Sequence, residues 1–237
     1  SKGTLWVGGW DGGLNKPIIS PDGNIENFLH YRMDKDDPNS ISDNSIMGFA
    51  EGKDGTIWIG TAYGGLNKLI SDYKFAVDGS LVKPKFKNYQ TNPNDPNSIS
   101  GNDVRSIAID ENGVLWIGTY GGGLNRFDPQ GSENDSIIFH HYRQSDGLAN
   151  DVIKGVLPDE QGRLWISTSY GLSMFDPDDR TFLNFYVSDG LQLDKFGGVY
   201  WKSDKTGRLY FGGDEGLLSF IPGNIKINNY KPEIVIT

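Results

Sequence analysis

The stretch GVLWIGTYGGGLNRF, Gly113 to Phe127, has the glycine content of a phosphate-binding loop. In such a loop, backbone N–H groups at the start of a helix hold a phosphate group. One ligand needs one such loop, placed after a strand and before a helix. This stretch instead has four relatives in the chain, and no helical pattern lies between its predicted strands. Nucleotide binding by this stretch is therefore excluded.

Few residues in the sequence are candidates for metal binding or catalysis. The chain has no cysteine, which excludes thiolate metal sites and cysteine nucleophiles. Its three histidines, His30, His140 and His141, fall on predicted outermost strands, where packing at a sheet edge explains them better than metal binding. The acidic run Asp34 to Asp37 resembles a calcium loop, but Pro38 stands where the next ligand is needed. We therefore predict no metal, no cofactor and no catalytic residue.

Charge and hydropathy argue against two classes of partner, nucleic acids and membranes. The formal charge is -9 over 237 residues, so the chain repels phosphate backbones and nucleic acid is not an expected partner. No apolar run approaches the roughly 20 residues that span a bilayer, and we expect no direct membrane insertion by this chain. Because Ser1 begins inside a repeat, we expect the chain to come from a longer protein, with any targeting segment upstream.

The five related stretches define the architecture. They begin at Gly3, Gly55, Gly113, Gly162 and Gly207, at separations of 52, 58, 49 and 45 residues. Around each of them, alternating apolar and polar residues broken by Gly and Asn indicate short antiparallel strands. Four strands in about 40 to 50 residues are typical of a β-propeller blade.

We therefore predict an all-β β-propeller of four-stranded blades. About five blades are present, the first and the last incomplete, and we expect them to be part of a seven-bladed ring. The propeller is predicted to cover residues 1–223, with blade cores at 3–16, 55–68, 113–126, 162–175 and 207–220. Residues 224–237 are predicted to form a tail leading out of it.

Two columns of residues recur at fixed strand positions. The aromatic column, Trp6, Trp58, Trp116, Trp165 and Tyr210, is predicted to be core between blades rather than a stacking platform. The small residue two positions later, as in Gly60 and Gly118, is predicted to let neighbouring blades approach. A glycine in each second hairpin is predicted to adopt positive φ, in chain order Gly12, Gly64, Gly122, Gly171 and Gly216.

The consensus LWIGTxxGGLNRF, preceded by Asp-x-x-Gly turns, resembles the two-component regulator propeller repeat family. The linkers DPNSISDNSIMGF (Asp37 to Phe49) and DPNSISGNDVRSI (Asp95 to Ile107) are similar to the segment between blades in that family. The stretch Phe220 to Thr237 resembles the exit from the last blade towards an Ig-like β-sandwich domain. The resemblance covers essentially the whole chain.

This resemblance implies a periplasmic sensor region of a Bacteroides-type hybrid two-component system, which detects oligosaccharides released from complex glycans. Implied partners are an oligosaccharide, a second copy in a homodimer, and the remaining blades and Ig-like domain of the parent. The kinase would lie outside this chain, so the chain itself is expected to bind rather than catalyse. A structural or dimerisation scaffold is one alternative, and a propeller lyase or glycosidase is another.

Strand direction predicts where a ligand would bind. The hairpin between the second and third strands and the segment leading into the inner strand should emerge on one face, here called the tip face. Its variable aromatic and polar residues suit a sugar, since a flat ring covers the C–H face of a pyranose and polar groups bind its hydroxyls. The candidate ligand-binding residues are Trp10, Tyr63, Tyr120, Tyr170, Asn102, Arg105, Asn150 and Lys154. The asparagines also have a simpler role as loop caps.

The opposite face carries the Asp-x-x-Gly turns and is here called the turn face. We expect sugar binding to depend on the tip-face residues and hardly at all on turn residues such as Asn112 and Gln161.

Overall fold

The structure is a computed structural model that describes residues 4–131 and 137–225. The described residues form five antiparallel sheets in chain order, each made of consecutive segments, together with one small extra hairpin. Blade one contains β1 (Val7–Gly9), β2 (Gly13–Ile19) and β3 (Ile25–Tyr31), and blade two begins with β4 (Ile46–Glu51), β5 (Ile57–Thr61) and β6 (Leu66–Ser71). The extra hairpin, β7 (Lys74–Phe75) and β8 (Leu81–Val82), precedes the outer strand of blade two, β9 (Lys85–Tyr89).

The remaining blades follow the same order from inner to outer strand. Blade three contains β10 (Val104–Ile109), β11 (Leu115–Thr119), β12 (Gly123–Phe127) and β13 (Phe139–Tyr142). Blade four contains β14 (Ile153–Pro158), β15 (Leu164–Thr168), β16 (Leu172–Asp176) and β17 (Thr181–Phe185). Blade five contains β18 (Phe196–Lys202), β19 (Leu209–Gly213) and β20 (Gly216–Phe220).

The predicted fold class is confirmed. Blades two, three and four have four strands each, and within the described residues blades one and five have three. Helical structure in this part of the chain is limited to short 3₁₀ turns, and no described helix has the length and apolar character needed to cross a membrane. Residues 226–237, which include most of the predicted C-terminal tail, lie outside the described residues.

The inner strands converge on a common axis. Tyr200 on β18 packs on Gly155 of blade four, where an added Cβ would lie 2.5 Å from the tyrosine ring. A Cβ added to Gly48 of blade two would lie 3.8 Å from the hydroxyl of the same tyrosine. Burial raises the pKa of Tyr200, and the Ser106 hydroxyl of blade three partly offsets the rise. One side chain of blade five therefore reaches three other blades, as expected of strands arranged around an axis.

The core consists of layers between successive blades, and the aromatic column lies in them. Trp58, Trp116 and Trp165 are each at most 3% exposed and belong to successive apolar clusters. Trp116, for example, packs with Ile153 and Phe175 of blade four. The interpretation of the column as core between blades is thus confirmed in blades two to four.

The small-residue column lies where one blade meets the next. A Cβ added to Gly118 would lie 2.3 Å from Cγ2 of Ile153, and one added to Gly60 would lie 2.6 Å from Cγ1 of Val104. No real Cβ approaches another carbon this closely, so only glycine fits without movement of the next inner strand. The predicted role of this column is confirmed in blades one to three, whereas blade four has the fully buried Ser167 at the same position.

The glycines of the second hairpins have positive φ as predicted in blades four and five, at Gly171 and Gly216, but require a correction in blades one to three, where blade one has positive φ at Gly13. In blades two and three, positive φ occurs at Gly65 (+79°) and Gly123 (+77°), one residue after the predicted Gly64 and Gly122. The N–H of Gly65 donates to the carbonyl of Asn102 in the next blade at 2.8 Å, so the left-handed backbone is needed where the two blades are joined. The sequence, with adjacent glycines, could not distinguish the two positions.

The extra hairpin is connected to blade one through the residues that precede it. The Asp72 carboxylate accepts a hydrogen bond from the Tyr31 hydroxyl and lies 2.5 Å from Nζ of Lys16. The Tyr73 hydroxyl donates to the carbonyl of His30 at 2.8 Å. Burial raises the pKa of Asp72, but these hydrogen bonds and one from the Tyr73 backbone outweigh it and hold the pKa below its usual value. The insertion therefore fixes blade one against blade two.

Replacing Gly118 with Ala should lower the free energy of unfolding by about 1–3 kcal/mol, because the new methyl group overlaps Ile153. Gly198→Ala is the matched control, since no atom lies within 4 Å of its added Cβ and its φ is not positive. Urea unfolding of both variants measures the difference. Equal effects of the two substitutions would contradict the close-approach interpretation.

Asp72→Asn should reduce stability at pH 7 by about 1 kcal/mol, since the carboxylate is partly exposed and its ion pair is lost. A lowered folded-state pKa gives stability that is present above the usual value of 3.8 and is lost as pH falls through the folded pKa. Thermal unfolding between pH 3 and 7 should therefore show a shallower acid loss in the variant. If stability depended on pH equally in the variant and the unmodified chain, other carboxylates would be responsible for the acid sensitivity.

Candidate functional site

The tip face is formed as strand direction predicts. The hairpin after each second strand hydrogen-bonds to the segment that leads into the inner strand of the same blade, as shown by Tyr120 N to Asp103 O at 2.9 Å in blade three. Equivalent bonds join Ala62 N to Ser45 O and Ser169 N to Val152 O, at 3.0 and 2.9 Å. The aromatic tips and the inner-strand residues therefore lie on one face.

Four aromatic side chains stand out from this face. Trp10, Tyr63, Tyr120 and Tyr170 are between 50 and 68% exposed, in contrast to the buried tryptophans of the core. Trp10 and Tyr63 of neighbouring blades contact each other edge to face, with ring centres 6.4 Å apart. Tyr170 lies beside Tyr186, with ring centres 5.4 Å apart. Tyr186, on the segment between blades four and five, was missed by sequence reasoning because it lies outside the repeated hairpin.

Tyr120, Arg105 and Lys154 form the most specific cluster among the predicted residues. The Arg105 guanidinium and the Lys154 ammonium each lie 5.2 Å from the centre of the Tyr120 ring. Arg105 is also paired with Asp103, with Nε to Oδ1 at 2.6 Å and a terminal nitrogen to Oδ2 at 2.7 Å. Within the described residues Lys154 makes no ion pair. The cluster thus has one cation fixed by a carboxylate and a second cation available to a ligand, beside an exposed ring.

The two predicted asparagines are used in the loops. Oδ1 of Asn102 accepts the Thr91 N–H at 2.8 Å, and Oδ1 of Asn150 accepts the Val152 N–H at 2.9 Å. The residue equivalent to Asn102 in blade four is Asp151, whose carboxylate accepts the Gln144 N–H at 2.8 Å. Asn150 therefore stands one position earlier in its repeat, and both amides cap loops in the structure.

Two of the cavities formed by the described residues are not lined by the aromatic tips. One of about 400 Å³ is lined by Tyr31, Tyr73 and Lys83, between blade one and the segment that carries the extra hairpin. The other, of about 330 Å³, lies on the turn face between blades two and three and is lined by Trp58 and Lys68. In the described part of the chain, no group of three or more His, Asp or Glu side chains could hold a metal ion.

The fold defines a β-propeller made of repeated four-stranded blades. Residues 40–63, 98–121 and 147–170 match the family described as the two component regulator propeller. Each match runs from the segment leading into the inner strand to the hairpin at the tip. The chain therefore carries repeats of the two-component regulator propeller family.

Comparison with individual proteins gives similarities to other proteins with related names or folds. A histidine kinase of Formosa agariphila is 31% identical over 96% of this chain, which spans only 19% of that protein. The extracellular domain of a hybrid two-component system from B. thetaiotaomicron has a TM-score of 0.71 at 24% identity, over 94% of this chain and 28% of that one. A virginiamycin B lyase from Staphylococcus aureus has a TM-score of 0.56 at 14% identity, over 93% and 67% of the two chains. The two structural similarities show the fold alone.

Trp116→Ala should lower the free energy of unfolding by about 3–5 kcal/mol, because it empties a buried position between blades. Trp10→Ala removes the same side chain from an exposed position on the tip face and should change stability by less than about 1 kcal/mol. Chemical denaturation of the two variants tests the division between core and surface aromatics. A large loss at Trp10 would mean that the tip aromatics serve packing instead of binding.

Proposed function

We propose that this chain is part of the periplasmic, ligand-sensing region of a hybrid two-component sensor and that its tip face binds an oligosaccharide. The family repeats and the similarity to a histidine kinase support a sensor role. The similarity to an extracellular sensor domain supports a location outside the cytoplasm. In this proposal the chain binds, and the kinase lies in another part of the parent.

The cluster around Tyr120 carries the proposal. Its ring is 53% exposed and can cover the C–H face of a pyranose, as flat apolar rings do in sugar sites. Lys154 beside it can bind ring hydroxyls or an acidic substituent. Arg105 is held by Asp103, so its guanidinium keeps its position against the ring without a ligand.

The neighbouring tips extend this surface. The edge-to-face pair of Trp10 and Tyr63 and the pair of Tyr170 and Tyr186 supply further rings on other blades. Rings from several blades can contact several residues of an oligosaccharide, which one ring cannot do. Asn102 and Asn150 contribute by holding the loops that carry these groups.

A scaffold role is the second candidate, supported by apolar side chains of blade five that the described residues leave exposed. Val199, Trp201 and Leu217 there are between 57 and 69% exposed. Apolar sheet faces of this kind favour contact with further blades of the parent or with a second copy. A homodimeric sensor would combine both roles.

Tyr120→Ala should weaken oligosaccharide binding about tenfold or somewhat more, corresponding to about 1–2 kcal/mol for one stacking ring. Lys154→Met should weaken binding of acidic oligosaccharides more than that of neutral ones. Isothermal titration calorimetry against a panel of host and plant oligosaccharides measures both effects.

Gln161→Ala is the control for this experiment, because Gln161 is exposed in a loop of the turn face. Its affinity should equal that of the unmodified chain. A loss at Gln161 as large as that at Tyr120 would place the oligosaccharide site on the turn face, and absence of binding to every member of the panel would favour the scaffold role.

A further inference from the structure

The inner strands of blades two, three and four share an irregularity at one position. In each of them the pairing with the second strand shifts register just after a buried aliphatic residue, Ile46, Val104 or Ile153. The shift leaves one residue of β4, β10 and β14 unpaired, which is a β-bulge. Bulges redirect a side chain and are common beside binding sites. The unpaired residues, here called the bulge residues, are Met47, Arg105 and Lys154.

The bulge is constant from blade to blade, but its side chain is not. The residue after it is small in all three blades and meets another blade. The fully buried Ser106 accepts the Val156 N–H of blade four at 2.9 Å, and a Cβ added to Gly155 would lie 2.5 Å from the Tyr200 ring of blade five. The bulge residues themselves are only partly buried. Variation at such positions, between neighbours that the scaffold needs, is expected of residues that carry recognition.

Two neighbouring bulge residues converge on one aromatic tip. A β-bridge pairs Tyr120 with Val152, and the Gly121 N–H donates to the carbonyl of Asp151 at 3.1 Å. The tip of blade three is therefore fixed to the segment of blade four that leads to Lys154. Because of this connection, the Arg105 guanidinium and the Lys154 ammonium reach the Tyr120 ring from two different blades, each at 5.2 Å from its centre.

The charges at this junction do not balance. Asp103 pairs with Arg105, whereas Lys154 takes part in no ion pair in the part of the chain that the structure describes. Two cations beside one ring repel each other, and a single carboxylate offsets only one of them. In blade five the stretch that corresponds to the bulge is Gly197 and Gly198, and no atom lies within 4 Å of a Cβ added to Gly198. These two positions therefore place no side chain beside Lys154 and leave space for a ligand.

We propose that the bulge residues determine the specificity of the tip-face site, and that Lys154 makes this site select an oligosaccharide that carries an anionic group, a carboxylate or a sulfate. The inference rests on the proposed oligosaccharide function and names the class of sugar and the residues that select it. The sugar ring lies on Tyr120, and its anionic group accepts a charge-assisted hydrogen bond from the ammonium. Arg105, balanced by Asp103, supports the ring, and Met47 offers an apolar contact on the side of blade two.

The net charge of the chain makes such a cation necessary for an anionic ligand. The formal charge is -9, so an anionic sugar approaches against a general repulsion. A local ammonium group without an ion-pair partner offsets this repulsion at one place on the surface. A neutral oligosaccharide has no corresponding requirement.

Pairs of oligosaccharides that share a backbone and differ in charge test the proposal. Isothermal titration calorimetry with the whole chain compares trigalacturonic acid with its methyl ester, and a sulfated galactan tetrasaccharide with its desulfated form. We expect the charged member of at least one pair to bind at least about tenfold more tightly, because the neutral member cannot accept a charge-assisted hydrogen bond. The two pairs distinguish a carboxylate from a sulfate.

The outcomes separate this inference from the proposed function. Binding of neutral sugars alone, from these pairs or from the panel of host and plant oligosaccharides, would overturn the inference and leave the oligosaccharide function standing. Equal binding of charged and neutral members would do the same. Absence of binding to every sugar would overturn both.

Substitutions assign the preference to the bulge residues. Lys154→Met keeps an unbranched stem beside Tyr120 and should weaken binding of the charged member about tenfold, and of the neutral member less. Met47→Ala should weaken binding of both members by the same factor, since it removes no charge. Lys195→Met is the matched control, because Lys195 is an exposed lysine in the segment leading into β18 and lies outside the bulge. Loss of the preference in Lys195→Met as large as that in Lys154→Met would overturn the role of the bulge residues.

Discussion

Close approach of successive blades is the constraint on which this structure depends. In blades one to three, the second strand passes the inner strand of the next blade within a distance that leaves no space for a Cβ, as Gly118 shows against Ile153, and blade four has the small Ser167 at the same position. The same junctions are joined by hydrogen bonds from hairpin glycines to the next blade, such as Gly65 N to Asn102 O. A side chain at Gly118 would overlap the next inner strand, and one at Gly65 would overlap the carbonyl of Tyr89 in its own blade. These glycines therefore help to fix the spacing of the blades and the position of the tips.

A buried asparagine is satisfied in the same way in blades two and three. Asn67 is fully buried, and its amide accepts the Ser42 N–H at 2.9 Å and donates to the Ser42 hydroxyl at 2.8 Å. Asn125 and Ser100 repeat this pair in blade three with the same distances. These bonds attach the linkers before blades two and three to the third strands of those blades. The serine of the linker and the asparagine of the GGLN motif therefore bind each other. The variable tip residues do not take part in this contact.

Features that recur in every repeat were predictable from the sequence. Contacts between residues that are distant in sequence were not. The recurrence of Trp116 and its equivalents predicted the order of the blades and the buried aromatic column. A residue type that is repeated at one position in every copy is needed by the shared fold. Strand direction predicted the tip face. The same argument placed Tyr120 and Arg105 on that face, where the structure shows them in contact. The contact of Asp72 with Tyr31 joins residues 41 positions apart across two blades, and no local pattern indicates it.

A repeat protein offers its own reference for each polar contact, and this makes departures informative. Asp110 and Asp159 each accept the indole N–H of a core tryptophan, whereas blade two has Gly52 at this position and uses the carboxylate of Asp54, two residues later, to accept the Thr56 N–H. The aromatic tips are between 50 and 68% exposed, so variation among them costs little in packing between blades. Function on this scaffold is therefore best sought in exposed residues that vary on a constant frame.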